Sequence, residues 1–202
     1  MLSREAGRFI KHYKTNNIIK LLILSDFIIW SGNQLFAPII AIFISDRLIG
    51  GSIEAAGIAV SIFLVVKSIL EIPVGMFIDS SKSEKDDLYS AILGTLISSI
   101  AILLYSVITT VGQMYMLQVL LGAAAAIAYP GWYSIFTKHV DKNKEAFEWS
   151  LYDVMVVIGM AGTAAVGGFI ANEFGFEMTF YIAAVATFSG ALLLFMLKNK
   201  VK

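Results

Sequence analysis

The chain contains no cysteine. Disulfides and thiolate metal sites are therefore excluded, although the compartment is not fixed by that absence. Charge is also scarce. Only 15% of the 202 residues are Asp, Glu, Lys or Arg, where a soluble domain carries about 25%. Fifteen basic residues balance fifteen acidic ones, so no basic surface points to nucleic acid. The two histidines, His12 and His139, lie far apart in sequence and suggest no metal pair. No Gly-x-x-x-x-Gly-Lys-Ser/Thr loop is present, which argues against ATP-driven chemistry. No Ser-His-Asp arrangement is evident at membrane depth. An enzyme is not expected, nor is any cofactor.

What the chain has in abundance is apolar length. Mean hydropathy is +0.79, and six runs reach the roughly 20 residues that a bilayer crossing needs. They span 18–44, 54–78, 88–110, 114–136, 147–171 and 178–197. The expected fold is an all-α membrane protein of six transmembrane helices. The first run is too long for a signal-peptide core and lacks a small-residue cleavage site. Residues 1–17 form a basic segment whose Leu2, Phe9, Ile10 and Tyr13 suit an amphipathic helix on the inner leaflet; a solvated terminus fits them as well. Arg4, Arg8, Lys11, Lys14 and Lys20 precede or open helix 1. Lys82 and Lys85 fall between helices 2 and 3, and Lys138, Lys142 and Lys144 between helices 4 and 5. Lys198, Lys200 and Lys202 lie in the tail, 198–202. The opposite loops carry only Arg47. The positive-inside bias places both termini in the cytoplasm. A multi-pass protein of a prokaryotic cytoplasmic membrane is expected.

Charges inside such spans cost about 3 kcal/mol each at the bilayer centre. Helices 1, 2 and 5 hold four: Asp26, Lys67, Glu71 and Asp153. Left in lipid they would cost on the order of 10 kcal/mol, so a wet, protein-walled interior is expected to gather them. Lys67 and Glu71 are spaced i, i+4 and can pair. On helix 1, Asp26, Trp30, Asn33 and Gln34 follow the spacing of one helical face. By helical rise Asp26 lies about 12 Å from the inner end and Lys67 about 16 Å. If helices 1 and 2 are neighbours, Asp26 is a second partner for Lys67. Carboxylates outnumber the cation, which makes this group a proton-binding candidate. Glu148 reaches the interface and reads as solvated. Gln118 adds a polar group on helix 4. Tyr129, Trp132 and Tyr133 near its end fit either a cavity wall or an interfacial belt.

Glu71-x-Pro73-x-Gly75-x-x-x-Asp79 resembles the end of the second helix in the major facilitator superfamily of transporters. After Asp79 the pattern departs, with Ser80, Lys82 and Ser83 in place of Arg, Gly and Arg. Leu35-Phe36-Ala37-Pro38 is similar to the outer half of the family's helix 1. Gln118 occupies the place of an arginine that the family links to proton coupling. Gly159-x-x-x-Thr163-Ala164-x-x-Gly167-Gly168 resembles a glycine motif on helix 5, with Thr163 and Ala164 replacing Gly and Pro. The turn at Phe174-Gly175-Phe176, running to Phe180, resembles the one before the family's helix 6.

The resemblance implies half of a transporter, built as two inverted three-helix repeats. It implies a small solute bound at Asp26, Trp30, Asn33, Gln34, Lys67, Glu71, Gln118 and Asp153. Conformational roles fall to Pro73, Gly75, Asp79, Gly159, Gly167 and Gly168. A cavity needs two walls, so a parallel homodimer is expected, with alternating access and proton coupling. Pairing with a different half-transporter, an inactive product, and a non-transporting scaffold or accessory subunit are the alternatives.

Overall fold

The computed structural model describes residues 14–81 and 83–201. Most of the basic N-terminal segment, together with Lys82 and Lys202, lies outside the described residues.

Helix α1 spans Asn17–Phe36 and starts where the Asn16 side chain accepts the backbone N–H groups of Ile18 and Ile19. Pro38 has no N–H to continue the ladder, and a single 3-10 turn, Ala37–Ile39, intervenes there. Helix α2, Ile40–Arg47, then resumes, so the first crossing runs over Asn17–Arg47. Helix α3, Ile53–Ser80, is capped by Ser52 and runs through Pro73 unbroken. Helix α4 is Glu84–Leu104. It stops short of the apolar run, because Ile49 exchanges backbone hydrogen bonds with Thr109 and Val111 and draws that segment out of the helix. Thr110 and Gln113 form a capping box at the start of α5, Val111–His139. Helix α6, Glu145–Phe174, ends at Gly175, whose φ of 86° favours glycine. Helix α7 is Phe176–Phe195. Among the described residues the crossings number six, each long and apolar enough for a bilayer.

The helices pack in the order α3, α5, α4, α7, α1, α6. Exchanging the first three crossings for the last three reverses this order end to end and keeps every neighbouring pair. α4 against α5 becomes α7 against α1, α3 against α5 becomes α6 against α1, and α4 against α7 maps onto itself. Corresponding helices run in opposite directions because successive crossings alternate. That is the arrangement of two inverted three-helix repeats.

Small residues set the spacing. A Cβ on Gly94 would collide with the Ala124 carbonyl, and one on Gly131 with the Asp87 carbonyl, so α4 and α5 touch backbone to backbone. Apolar side chains then close two clusters at opposite ends of the bundle. One holds Ile19, Leu22, Leu88, Trp132, Phe136 and Leu194. The other holds Phe43, Ile44, Ala59, Tyr105, Met114 and Phe180. The terminal helices of the packing order, α3 and α6, are the least covered, each with 17% of its most apolar stretch buried. Ile69, Ile72 and Phe77 on α3 and Ile158 and Phe169 on α6 are exposed. Such faces belong against lipid or another apolar surface.

Candidate functional site

A hollow of about 470 Å³ opens among the first four crossings. Trp30 and Asn33 reach it from α1, one helical step apart, and Lys67 from α3. Gln118, Tyr129 and Tyr133 reach it from α5, and Ser98 from α4. Lys67 is the only charged residue among the described residues that line it. Its Nζ lies 3.6 Å from a Glu71 carboxylate oxygen and 4.3 Å above the centre of the Tyr129 ring. Anion and aromatic face both offset the loss of water around an ammonium. Gly122 holds this lysine in place. A Cβ there would meet the Phe63 carbonyl and the Lys67 backbone N, forcing α3 away from α5. Trp30 stacks beside Tyr129 with ring centres 6.1 Å apart and planes 20° from parallel. Tyr133 continues this aromatic wall at 6.1 Å from Tyr129. The Gln118 amide N–H donates to the Tyr105 hydroxyl at 3.1 Å.

A second hollow of about 360 Å³ lies between α3 and α5, lined by Gly75, Asp79, Pro130 and Lys138 among others. Tyr133 is common to both. Beside it, fully buried Asp87 accepts hydrogen bonds from Ser134 Oγ and Lys138 Nζ, each at 2.7 Å.

The family model described as Major Facilitator Superfamily matches residues 22–202 of the chain. The chain belongs to the Major Facilitator Superfamily. It is an integral membrane protein of a transporter family. It is also similar to an uncharacterized MFS-type transporter of Methanocaldococcus jannaschii, with 22% identity over 183 residues, 91% of this chain and 46% of the relative. The chain thus spans less than half the length of that relative.

Four of the residues that a superfamily member was expected to turn toward solute do share the first hollow: Trp30, Asn33, Lys67 and Gln118. Glu71 stands behind Lys67 as its ion-pair partner. Asp26 is placed differently from the sequence expectation. It is buried, and it accepts a hydrogen bond from the Tyr152 hydroxyl of α6 at 3.0 Å instead of pairing with Lys67. The reason is helix order: α1 packs mainly on α6 and α7, while α3 packs on α5. Equal depth does not bring the two charges together. Asp153 is exposed on α6, and Gln34 is half-buried on α1; neither lines a hollow. The four charges therefore do not gather at one point.

The glycines divide too. Gly159 packs against Ser31 and Phe27, and Gly167 against the Leu35 backbone, while Gly168 faces open space. Gly75 comes within van der Waals reach of Pro130, and Pro73 is exposed. Glu148 corrects the expectation of a solvated side chain. It is fully buried, and its carboxylate accepts the Asp141 backbone N–H at 2.9 Å as the loop folds over the start of α6. Sequence reasoning missed Tyr152 and Asp87. Asp87 carried a signal: it opens α4, Lys138 closes α5, and a short turn makes those helices antiparallel neighbours.

Proposed function

We propose that this bundle forms one wall of an alternating-access carrier for a small solute, and that the hollow around Lys67 is the solute site. The observation that carries the reading is the convergence of Trp30, Asn33, Lys67 and Gln118, from three separate crossings, on a single space. Polar groups at membrane depth are costly and are kept where they meet a ligand, an ion or water. The second wall is a second six-helix bundle set against the poorly covered α3 and α6. A second copy of this chain, related by a two-fold along the membrane normal, supplies it. Rocking of one bundle on the other exposes the hollow to each side in turn. Gly75 and Asp79, on the second hollow, belong to the closure at the cytoplasmic end. Asp26 is the group that takes up a coupling proton, with Tyr152 as its hydrogen-bond partner.

Solute uptake into proteoliposomes tests this reading. Asp26→Asn is expected to abolish pH-driven accumulation, and Lys67→Ala to abolish uptake altogether. Uptake unchanged in both variants removes the site assignment. Crosslinking or native mass measurement in lipid tests the second wall; a stable, isolated monomer that transports contradicts it.

A further inference from the structure

The walls of the first hollow also define what fits it, given that it is the solute site. Its chemistry is uneven. The charge that lines it is a single ammonium, Lys67, and no carboxylate lines it among the described residues. Glu71 touches that ammonium from outside the lining, at 3.6 Å. An ammonium has three N–H donors. One faces Glu71 and the Tyr129 ring covers another side, while a quarter of the lysine side chain remains accessible. A donor is left for an oxygen in the hollow. The Asn33 carbonyl accepts the Ala37 backbone N–H, while its side-chain amide has no partner among the described residues and can add a second polar contact in the hollow. One side of the wall is aromatic: Trp30 and Tyr129 lie with planes 20° apart, and Tyr133 stands tilted by 49° next to Tyr129, while Val60 and Leu121 add aliphatic surface.

We propose that the hollow takes a small monoanion carrying a flat apolar body. The carboxylate or equivalent anionic oxygen bonds Lys67 in competition with Glu71, and the body lies along the aromatic wall. A cation is disfavoured because its like charge would face Lys67, and a neutral ring forgoes the charged hydrogen bond. The competition makes a specific demand. Removing the Glu71 charge frees Lys67 and tightens an anion, whereas removing the Lys67 charge loosens it.

Benzoate, benzamide and benzylammonium provide the three charge states of one body. Each is titrated into the protein in lipid nanodiscs, following Trp30 fluorescence with Trp30→Phe as the control for Trp132 and Trp149. Benzoate is expected to bind about tenfold or more tighter than the other two, since a hydrogen bond to a charged group contributes about 1.5–3 kcal/mol. Lys67→Met is expected to remove that preference, Lys67→Arg to keep it, and Glu71→Gln to strengthen benzoate severalfold. Retained unfolding temperatures show that these changes are not misfolding. Equal binding of all three probes overturns the charge class while leaving the hollow as a solute site. Tighter benzylammonium, weakened by Glu71→Gln, overturns it in favour of cations. If none of the three binds but proteoliposomes accumulate another solute, the class falls and the transport reading stands. If nothing binds and no solute is accumulated, both fall.

Discussion

Tyr152 of α6 donates its hydroxyl to Asp26 of α1 at 3.0 Å, across 126 residues of sequence. The two helices also approach closely at Gly159 and Gly167. The bond is a polar tie between them, and it anchors a buried carboxylate to one of the two least covered helices of the bundle. Tyr152→Phe is expected to lower stability by about 1–3 kcal/mol, because the buried Asp26 carboxylate loses a hydrogen-bond donor. A double-mutant cycle with Asp26→Asn, followed by unfolding in mixed detergent, is expected to give a coupling of about 0.5–3 kcal/mol. Additive single effects would mean that the two residues do not act as a pair.

Gly167 and Gly168 are sequence neighbours with opposite surroundings, and they separate packing from mere helix propensity. A Cβ at Gly167 meets the Leu35 backbone; at Gly168 it meets nothing within 4 Å. Gly168→Ala is expected to stabilise by up to about 1 kcal/mol, since alanine is the better helix former. Gly167→Ala is expected to cost about 1–3 kcal/mol as α6 is levered off α1 just where Pro38 interrupts the first crossing. Thermal unfolding of the two variants side by side is the check. Equal responses would show that the α1–α6 contact is looser than the backbone distances require.

The six crossings were legible because a bilayer enforces long apolar runs and leaves few other readings. The Lys67–Glu71 pair was legible for a local reason: four residues on one helix must share a face. What stayed hidden was every contact that depends on which helices are neighbours. Asp87 finds Lys138 at a separation of 51 residues. Glu148 is buried by the turn of the loop before it, which a hydropathy pattern does not record. Asp26 and Lys67 matched in depth, but α5, α4 and α7 stand between α3 and α1 in the packing order. Apolar periodicity is weak guidance there, since lipid and protein neighbours ask for similar side chains.

The loop after α5 closes on the start of α1 through Asp141. Its carboxylate accepts from Asn16 Nδ2 at 3.3 Å and from Lys144 Nζ at 3.2 Å. The Asn16 hydrogen bond, aided by Lys144, holds the Asp141 carboxyl below the usual carboxylate range. The sign follows directly. A carboxyl lowered on folding contributes fully above its unfolded value, about pH 3.9, and the contribution fades as pH falls through the folded value. Hydrogen exchange at Ile18 and Ile19, whose amides Asn16 caps, is expected to stay protected through pH 4 after correction for intrinsic rates and to rise below it. Lys144→Met is expected to move that rise upward, since Lys144 also helps to hold the Asp141 carboxyl down. A rise centred above pH 5 in the unaltered protein would contradict the clasp.

Orientation can be settled with the chain's own peculiarity. Since cysteine is absent, a single introduced thiol reports one position without background. Lys142 lies in the loop between α5 and α6 and Lys198 follows α7, whereas Asn172 lies in the last turn of α6, before α7; all three are exposed. Loops at 142 and 198 are separated by two crossings and must share a side, while 172 is one crossing from each. The lysine distribution predicts that 142 and 198 face the cytoplasm. In intact cells, a membrane-impermeant maleimide is expected to label Asn172→Cys and to spare Lys142→Cys and Lys198→Cys until the cells are opened. The reverse pattern would turn the bundle over, and with it the assignment of Gly75 and Asp79 to the inner closure. Labelling of all three would mean that α6 and α7 do not each cross once, because a single crossing on either side of 172 places it opposite 142 and 198.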